Sequence, residues 1–126
     1  MKRSVFLVCL SALAVVLSTP AIAHHGGAAF DQTTTIMLRG TMTELQFNNP
    51  HVLLFFDVKD DKGATENWSG WLTAPNKLAR AGWTKRTLNP GDQITIEGRP
   101  HKAGSKVVQI RKLIGPDGKE LPLFEE

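Results

Sequence analysis

Apolar positions after residue 23 fall into five short segments, which are separated by clusters of Gly, Pro, Asn and Asp. The most apolar of them, residues 52–58 (VLLFFDV), has the length and the β-branched and aromatic content of a buried strand. Residues 93–98 alternate apolar and polar side chains, so Ile94 and Ile96 are predicted to face inward. The pattern as a whole predicts five β-strands, at residues 36–47, 52–58, 65–72, 93–98 and 106–114.

A short helix is predicted between the third and fourth strands, at residues 75–81. Pro75 stands at an early helical position, where its missing N–H is not needed, and Gly82 is a residue type that ends helices. Leu78 would face inward, and Trp83 would pack beneath the helix. The element order is therefore three strands, one helix and two strands.

This element order is that of the OB-fold, a five-stranded Greek-key barrel. We therefore expect an all-β protein with little helix, in which residues 36–126 form a single OB-like barrel of ordinary domain size. Residues 24–35 contain two glycines and three consecutive threonines without helical periodicity. They predict an N-terminal arm of extended chain, which Phe30 would pin to the barrel.

The first 23 residues have the pattern of a cleavable signal peptide. A positively charged start precedes a charge-free apolar stretch, and Pro20 breaks the helix ahead of Ala21-Ile22-Ala23, a sequence that signal peptidase accepts. Cleavage after Ala23 would place the protein in the periplasm or outside the cell, with His24 as its first residue and no stable membrane span. An uncleaved anchor is the alternative, because residues 4–23 approach the length of one bilayer crossing.

Loss of the leader changes the charge and removes the single cysteine, Cys9. Without Lys2 and Arg3, the 15 basic side chains fall to 13 against 12 acidic ones, so the net charge falls from +3 to about +1. A chain so nearly balanced lacks the clustered basic face of a nucleic-acid binder, and we expect no nucleic-acid partner. A domain without thiols forms no disulfide, so its stability would come from packing, alone or with a metal ion.

The histidines are the candidate metal ligands. A mature N-terminal His24 would offer its α-amine and its imidazole to one ion, and Cu(II) heads the divalent affinity order at such nitrogen sites. His25 adds a second imidazole, and His51, held by the rigid Asn49-Pro50 turn, is the best third ligand. His101 is a weaker candidate in a later turn. Three imidazoles without a thiolate also describe an open zinc site, so zinc is the alternative to copper.

Each of these residues also has a purely structural interpretation. Histidines on a Gly-rich arm are often only solvated, and a histidine at a strand start often bonds a backbone carbonyl. Asp31 could orient a ligating imidazole by accepting a hydrogen bond from its other ring nitrogen. The interpretation that we favour for Asp31 is a carboxylate that caps a turn.

The second functional hypothesis is a module that binds its partner without metal. Trp68, Trp71 and Phe47 would then form an aromatic barrel face for a small ligand, a glycan or another envelope protein, a role that OB-folds serve. A domain of this size needs tryptophans in its core, and we assign Trp83 there.

Catalysis has little support in the sequence, and we assign no catalytic residue. The chain has no Gly-rich phosphate loop, no Gly-x-Ser-x-Gly motif and no paired cysteines. A copper oxidase of polysaccharides ranks third among the hypotheses, because its chemistry needs a substrate surface that the sequence does not identify. We therefore expect a binding protein rather than an enzyme.

Short motifs are spread in order along the mature chain. They are His24-His25, Phe30-Asp31, Gly40, Asn49-Pro50-His51, Trp68, Pro75-Asn76, Gly82-Trp83-Thr84, Pro90-Gly91-Asp92 and Gly98. In this order and spacing they resemble a family of small exported bacterial proteins, classed as a domain of unknown function, and the resemblance covers nearly all of the mature chain.

The resemblance implies a periplasmic or secreted location and a small β-barrel domain, and it brings no established activity. One departure from the family is Ser69-Gly70-Trp71, which stands where an acidic residue is expected after the family's tryptophan. If that acid matters for a ligand, this member differs from its relatives.

Overall fold

The predicted strands and helix are all present in the computed structural model, which describes residues 26–123. The elements are β1 (Ile36–Gln46), β2 (Leu53–Lys59), β3 (Thr65–Trp71), α1 (Pro75–Arg80), β4 (Gln93–Pro100) and β5 (Val107–Ile114). The strands close into one barrel in the order β1-β2-β3-β5-β4, with β4 paired to β1. β3 and β5 run parallel, and the other neighbouring pairs are antiparallel. This is the OB-like barrel that the element order predicts, with element ends displaced by one or two residues.

Alternation along each strand separates a core face from an outer face. On β2, Leu54 and Phe56 are fully buried, whereas their neighbours along the strand are partly exposed. On β4, Ile94 and Ile96 are buried, as predicted. Apart from Phe30, the buried apolar residues between 26 and 123 form one cluster, made of Met42, Val52, Leu54, Phe56, Leu72, Leu78, Trp83, Leu88, Ile94, Ile96, Val108, Ile110 and Leu113.

Helix α1 and the chain that follows it complete this core. Leu78 of α1 is fully buried, and Trp83 is 3% exposed. The N–H of Trp83 donates to the Leu78 carbonyl oxygen at 3.0 Å, so the chain turns directly after the helix. The Trp83 Nε1–H donates to the Pro122 carbonyl oxygen at 2.8 Å. The predicted core position of Trp83 is confirmed, and the same side chain holds the C-terminal segment against the barrel.

The segment before β1 is folded more tightly than the sequence suggests. Gly26–Ala29 form a 3-10 helix, and the Phe30 that follows is 1% exposed. The small side chains of this segment permit a tight turn, and the Phe30 N–H donates to the Gly27 carbonyl oxygen at 3.2 Å. The prediction of extended chain is therefore wrong for residues 26–29, whereas Phe30 does pin the segment to the barrel.

Backbone hydrogen bonds fix this segment to the loop between β4 and β5. The Asp31 N–H donates to the Pro100 carbonyl oxygen, and the Lys102 N–H donates to the Ala29 carbonyl oxygen, both at 2.9 Å. Phe30 and His101 form an isolated β-bridge between the two bonds. Between residues 26 and 123, no helix has the length and hydropathy needed to cross a bilayer.

Candidate functional site

His51 is held at the start of β2 by the backbone around it. It follows the Asn49-Pro50 turn, whose peptide bond is cis. The next residue, Val52, exchanges backbone hydrogen bonds with Leu72 and Thr73 at 2.9 and 3.1 Å. The Nδ1 of His51 lies 3.1 Å from the Leu72 carbonyl oxygen.

The hydrogen bond to Leu72 determines which nitrogen of His51 is free. A carbonyl oxygen can only accept, so the Nδ1 of His51 is the nitrogen that carries the proton. In the neutral ring, Nε2 then holds the available lone pair. An imidazole whose N–H is bonded to a backbone carbonyl is the usual arrangement of a histidine metal ligand, because the bond fixes both tautomer and ring orientation.

Aromatic contacts orient the same ring. His51 stacks on Trp71 with ring centres 5.2 Å apart and an interplanar angle of 30°. Phe30 meets Trp71 edge-on at 5.6 Å, and its burial ties this aromatic group to the N-terminal segment. The His51 ring is therefore fixed by a hydrogen bond at one atom and by stacking across its face.

The N-terminal segment passes beside the free nitrogen of His51. A methyl group at the Cβ position of Gly26 would lie 3.5 Å from His51 Nε2 and 3.4 Å from Trp71 Cζ3. His24 and His25 lie outside the described residues, but they immediately precede Gly26 in the sequence. Gly26, which follows the predicted ligands His24 and His25 in the sequence, therefore lies beside His51, the third predicted ligand.

A small cavity of about 30 Å³ lies between Gly26, His51, Trp71 and Gln109. A space of this size can hold one water molecule or a comparably small group. The Gln109 Oε1 is buried and has no hydrogen-bond partner among the described residues. No sequence motif indicates this residue, because Gln109 occupies an outer-face position of β5, where a polar side chain is expected in any barrel.

His101 is not brought to His51. Its ring meets Phe30 edge-on at 5.7 Å, and Phe30 in turn packs on Trp71, so two aromatic rings connect the two histidines. The His101 Nδ1 accepts a hydrogen bond from the Ala103 N–H at 3.1 Å. In the neutral ring the proton is then on Nε2, which leaves no free lone pair on His101.

Asp31 caps its own turn. Its Oδ2 accepts from the Thr34 hydroxyl at 2.7 Å, and its Oδ1 accepts from the Thr33 hydroxyl at 2.7 Å and the Thr33 N–H at 2.9 Å. These bonds, that from Thr34 first, favour the charged form and lower the pKa of Asp31 to about 2. All of the described hydrogen bonds to this carboxylate are local, which is the geometry of a turn cap.

The three residues of the predicted aromatic face are not on one surface. Trp68 shares its side of β3 with buried Gly70 and packs against the core, whereas Trp71 points to the opposite side. Phe47 also packs against the core and is partly buried.

Trp68 takes part in a polar cluster at the other end of β3. Its Nε1–H donates to Glu66 Oε2 at 3.1 Å, and the Lys106 ammonium lies 5.2 Å from its ring centre. The Lys106 Nζ is 2.9 Å from Glu66 Oε1, and hydrogen bonds from Lys106 and then Trp68 hold the pKa of Glu66 below its ordinary value. These contacts give Trp68 a structural role.

Between residues 26 and 123, no three His, Cys, Asp or Glu side chains lie close enough together to hold a metal ion. His24 and His25, the predicted ligands that precede Gly26, lie outside this range.

The model of a family of unknown function (DUF6152) matches residues 12–109, which is most of the chain. The chain belongs to this family. The match runs from within the predicted leader to Gln109, so its range includes the positions of the N-terminal histidines, His51 and β3. A comparison with curated proteins finds no match.

Among solved structures, the DUF6152 member is similar to parts of much longer chains. TiaS in complex with a tRNA, AMPCPP and agmatine matches 68% of this chain at 20% identity, with a TM-score of 0.45. A ZRD-deleted TiaS mutant with agmatine matches 76% at 19% identity and a TM-score of 0.44. The chain spans 19% and 24% of those proteins, and similarity at this level says nothing about activity.

Proposed function

We propose that this DUF6152 member is an exported metal-binding protein, with copper as the favoured ion, that uses His24, His25 and His51 as ligands. His24 would contribute both its α-amine and its imidazole after cleavage at Ala23. The observation that carries the proposal is the position of Gly26, whose Cβ site is 3.5 Å from His51 Nε2. Two residues of chain separate this point from the mature N-terminus.

The chemistry of His51 supports the same proposal. Its Nδ1–H is engaged by the Leu72 carbonyl oxygen, and stacking on Trp71 fixes its ring, so its Nε2 is preorganised to donate a lone pair. A set of one amine and several imidazole nitrogens suits Cu(II), which heads the divalent affinity order. Zinc is the alternative ion, because an open site of imidazoles also binds Zn(II).

The first experiment tests the amine. Protein that begins at His24 is titrated with Cu(II) in competition with a chelator, beside the same protein with its α-amine acetylated. Acetylation converts the amine of His24 into an amide, so we expect at least about a ten-fold loss of affinity, as when a metal ligand or its support is removed. Equal affinity of the two proteins would show that the amine is not a ligand.

The second experiment tests His51 against a matched control. His51→Phe keeps a ring that can stack on Trp71 but removes the nitrogen. The control, His101→Phe, makes the same substitution at a histidine that contacts Phe30 and is separated from His51 by two aromatic rings. We expect His51→Phe to weaken Cu(II) binding and to change the nitrogen hyperfine pattern in the electron paramagnetic resonance spectrum. His101→Phe should retain both properties. Equal behaviour of the two variants would exclude His51 as a specific ligand.

Export needs its own test. Protein recovered after secretion by its natural host is analysed by intact-mass spectrometry, first denatured and then under native conditions. We expect an N-terminus at His24 and one bound ion per chain. An N-terminus at any other position would remove the amine from the proposed ligand set, and retention of the leader would contradict cleavage.

A further inference from the structure

We infer that Gln109 is a positioning residue of the proposed metal site, whose Oε1 accepts a hydrogen bond from an N–H or O–H group attached to the bound ion. This inference rests on the proposed function. It assigns a role to a side chain that no sequence motif includes and that the family match does not explain.

The first support is the state of the Gln109 side chain. Its Oε1 is shielded from solvent and has no hydrogen-bond partner in the described part of the chain. Buried polar atoms are nearly always paired, because an unpaired one loses its bonds to water without replacement. An unpaired buried acceptor in the wall of a cavity therefore favours the binding of a donor group there.

The second support is location. Gln109 lines the same 30 Å³ cavity as Gly26 and His51. The Cβ position of Gly27 lies 3.9 Å from Gln109 Nε2, and that of Gly26 lies 3.5 Å from His51 Nε2. Two consecutive residues of the N-terminal segment thus lie beside the orphaned amide and the free imidazole nitrogen.

The third support is the chemistry of metal-bound donors. An α-amine that gives its lone pair to a metal ion still carries two N–H groups, and a bound water carries two O–H groups. The ion withdraws electron density from both, which strengthens them as donors. A donor that is partly shielded from water needs a protein acceptor, and Gln109 Oε1 is an acceptor without a donor among the described residues.

The test compares two substitutions at Gln109. Gln109→Met keeps the length of the side chain but removes the acceptor, whereas Gln109→Glu keeps an acceptor. The matched control is Gln93→Met, since Gln93 is exposed on β4 and its side chain bonds Thr41 at 2.8 Å, away from the cavity. For each protein, Cu(II) affinity, the electron paramagnetic resonance spectrum and the melting temperature without metal are measured.

We expect Gln109→Met to bind Cu(II) about ten-fold more weakly, the lower end of the range for loss of a side chain that supports a metal ligand. Its spectrum should shift, because the electron density on the donor changes. Gln109→Glu and Gln93→Met should bind at least as tightly as the parent protein. Without metal, Gln109→Met should melt at the same temperature as the parent or higher, because it removes an unpaired buried oxygen.

The possible results separate the inference from the proposed function. If the parent protein binds no Cu(II), both fail. If the parent binds and Gln109→Met binds equally well, only the role of Gln109 is overturned. If Gln109→Met melts at a lower temperature without metal, its oxygen has a structural partner, which also overturns the inference.

A combination of variants identifies the donor. Gln109→Met is combined with acetylation of the α-amine of His24, and the loss of affinity is compared with that of each single change. If the α-amine is the donor, the second change adds little to the first, because the two groups interact. If bound water is the donor, the two losses multiply.

Discussion

At the scale of single residues, the two described histidines hold their protons on opposite nitrogens because of the backbone around them. His51 faces a carbonyl oxygen, which requires an N–H at Nδ1, whereas His101 faces the N–H of Ala103, which requires a lone pair at Nδ1. The difference makes Nε2 of His51 the available ligand atom. Two identical side chains are thereby given different chemistry by one hydrogen bond each.

This difference can be measured without metal. Two-bond proton–nitrogen correlation spectra of the protein with its imidazole rings neutral should show His51 as the Nδ1–H tautomer and His101 as the Nε2–H tautomer. The spectra of His51→Phe and His101→Phe assign the signals. An Nε2–H tautomer at His51 would remove the lone pair on which the proposed site depends.

Asp31 predicts a pH dependence of stability. Its folded-state pKa of about 2 lies below the ordinary value of about 3.9, so folding favours its charged form. The contribution is complete above about pH 3.9 and is lost as the pH falls through the folded pKa. We expect the difference in unfolding free energy between the parent and Asp31→Asn to shrink from pH 5 to about pH 2.

Urea titrations at several pH values measure the Asp31 effect. Asp61→Asn is the control, because it removes the same charge from another exposed turn. A difference between parent and Asp31→Asn that stays constant over the acid range would mean that the Thr33 and Thr34 hydrogen bonds do not favour the charged carboxyl.

At the scale of elements, Gly98 allows β4 and β5 to approach each other. The pairing of these strands shifts register between Glu97 and Gly98. A Cβ at Gly98 would overlap the carbonyl oxygen of Gln109 and lie 2.6 Å from Val108 Cγ2. Because the first obstacle is backbone, the strands would have to separate before any side chain could fit.

We therefore expect Gly98→Ala to destabilise the barrel by about 1–3 kcal/mol, the usual cost of overpacking. Gly27→Ala is the matched control, because the nearest atom to its Cβ position is 3.9 Å away and its φ is not positive. Its stability should be unchanged or slightly higher. Chemical denaturation of both variants checks the prediction, and equal effects would show that strand approach at Gly98 does not limit stability.

At the scale of the whole molecule, the pattern of apolar residues was enough to predict the barrel but not its N-terminal segment. The strands could be found because alternation and turn residues act locally, and their order with α1 is that of the OB-fold. The 3-10 helix at Gly26–Ala29 could not, because it depends on the burial of Phe30 against distant Trp71 and His101.

The candidate site was predictable in part for the same reason. His51 could be chosen from its rigid turn, whereas the assignment of Trp68 and Trp71 to one aromatic face did not take account of the alternation of side chains along β3. The cavity beside His51 could not be foreseen, because it forms where β5 meets the N-terminal segment, and Gln109 has the sequence pattern of an ordinary outer-face residue.

The proposed site also predicts how copper affects stability. A ligand stabilises the folded protein only by binding it more tightly than the unfolded chain, and exclusive binding at 100 times Kd would add about 2.7 kcal/mol. His24 and His25 are adjacent in sequence, so the unfolded chain can also bind copper through them. In the proposed site, His51 binds the same ion as His24 and His25 only when the protein is folded. The gain in melting temperature on copper binding should therefore come mainly from His51.

Melting curves with and without Cu(II) test this linkage. We expect the parent and His101→Phe to gain stability and His51→Phe to lose most of the gain, even where it still binds copper. The gain should also be smaller at about pH 5.5 than at about pH 7.5, because amine and imidazole ligands must be deprotonated to bind the ion and protons compete with it. If His51→Phe gains as much stability as the parent, copper is bound by the terminal residues alone and the barrel contributes no ligand.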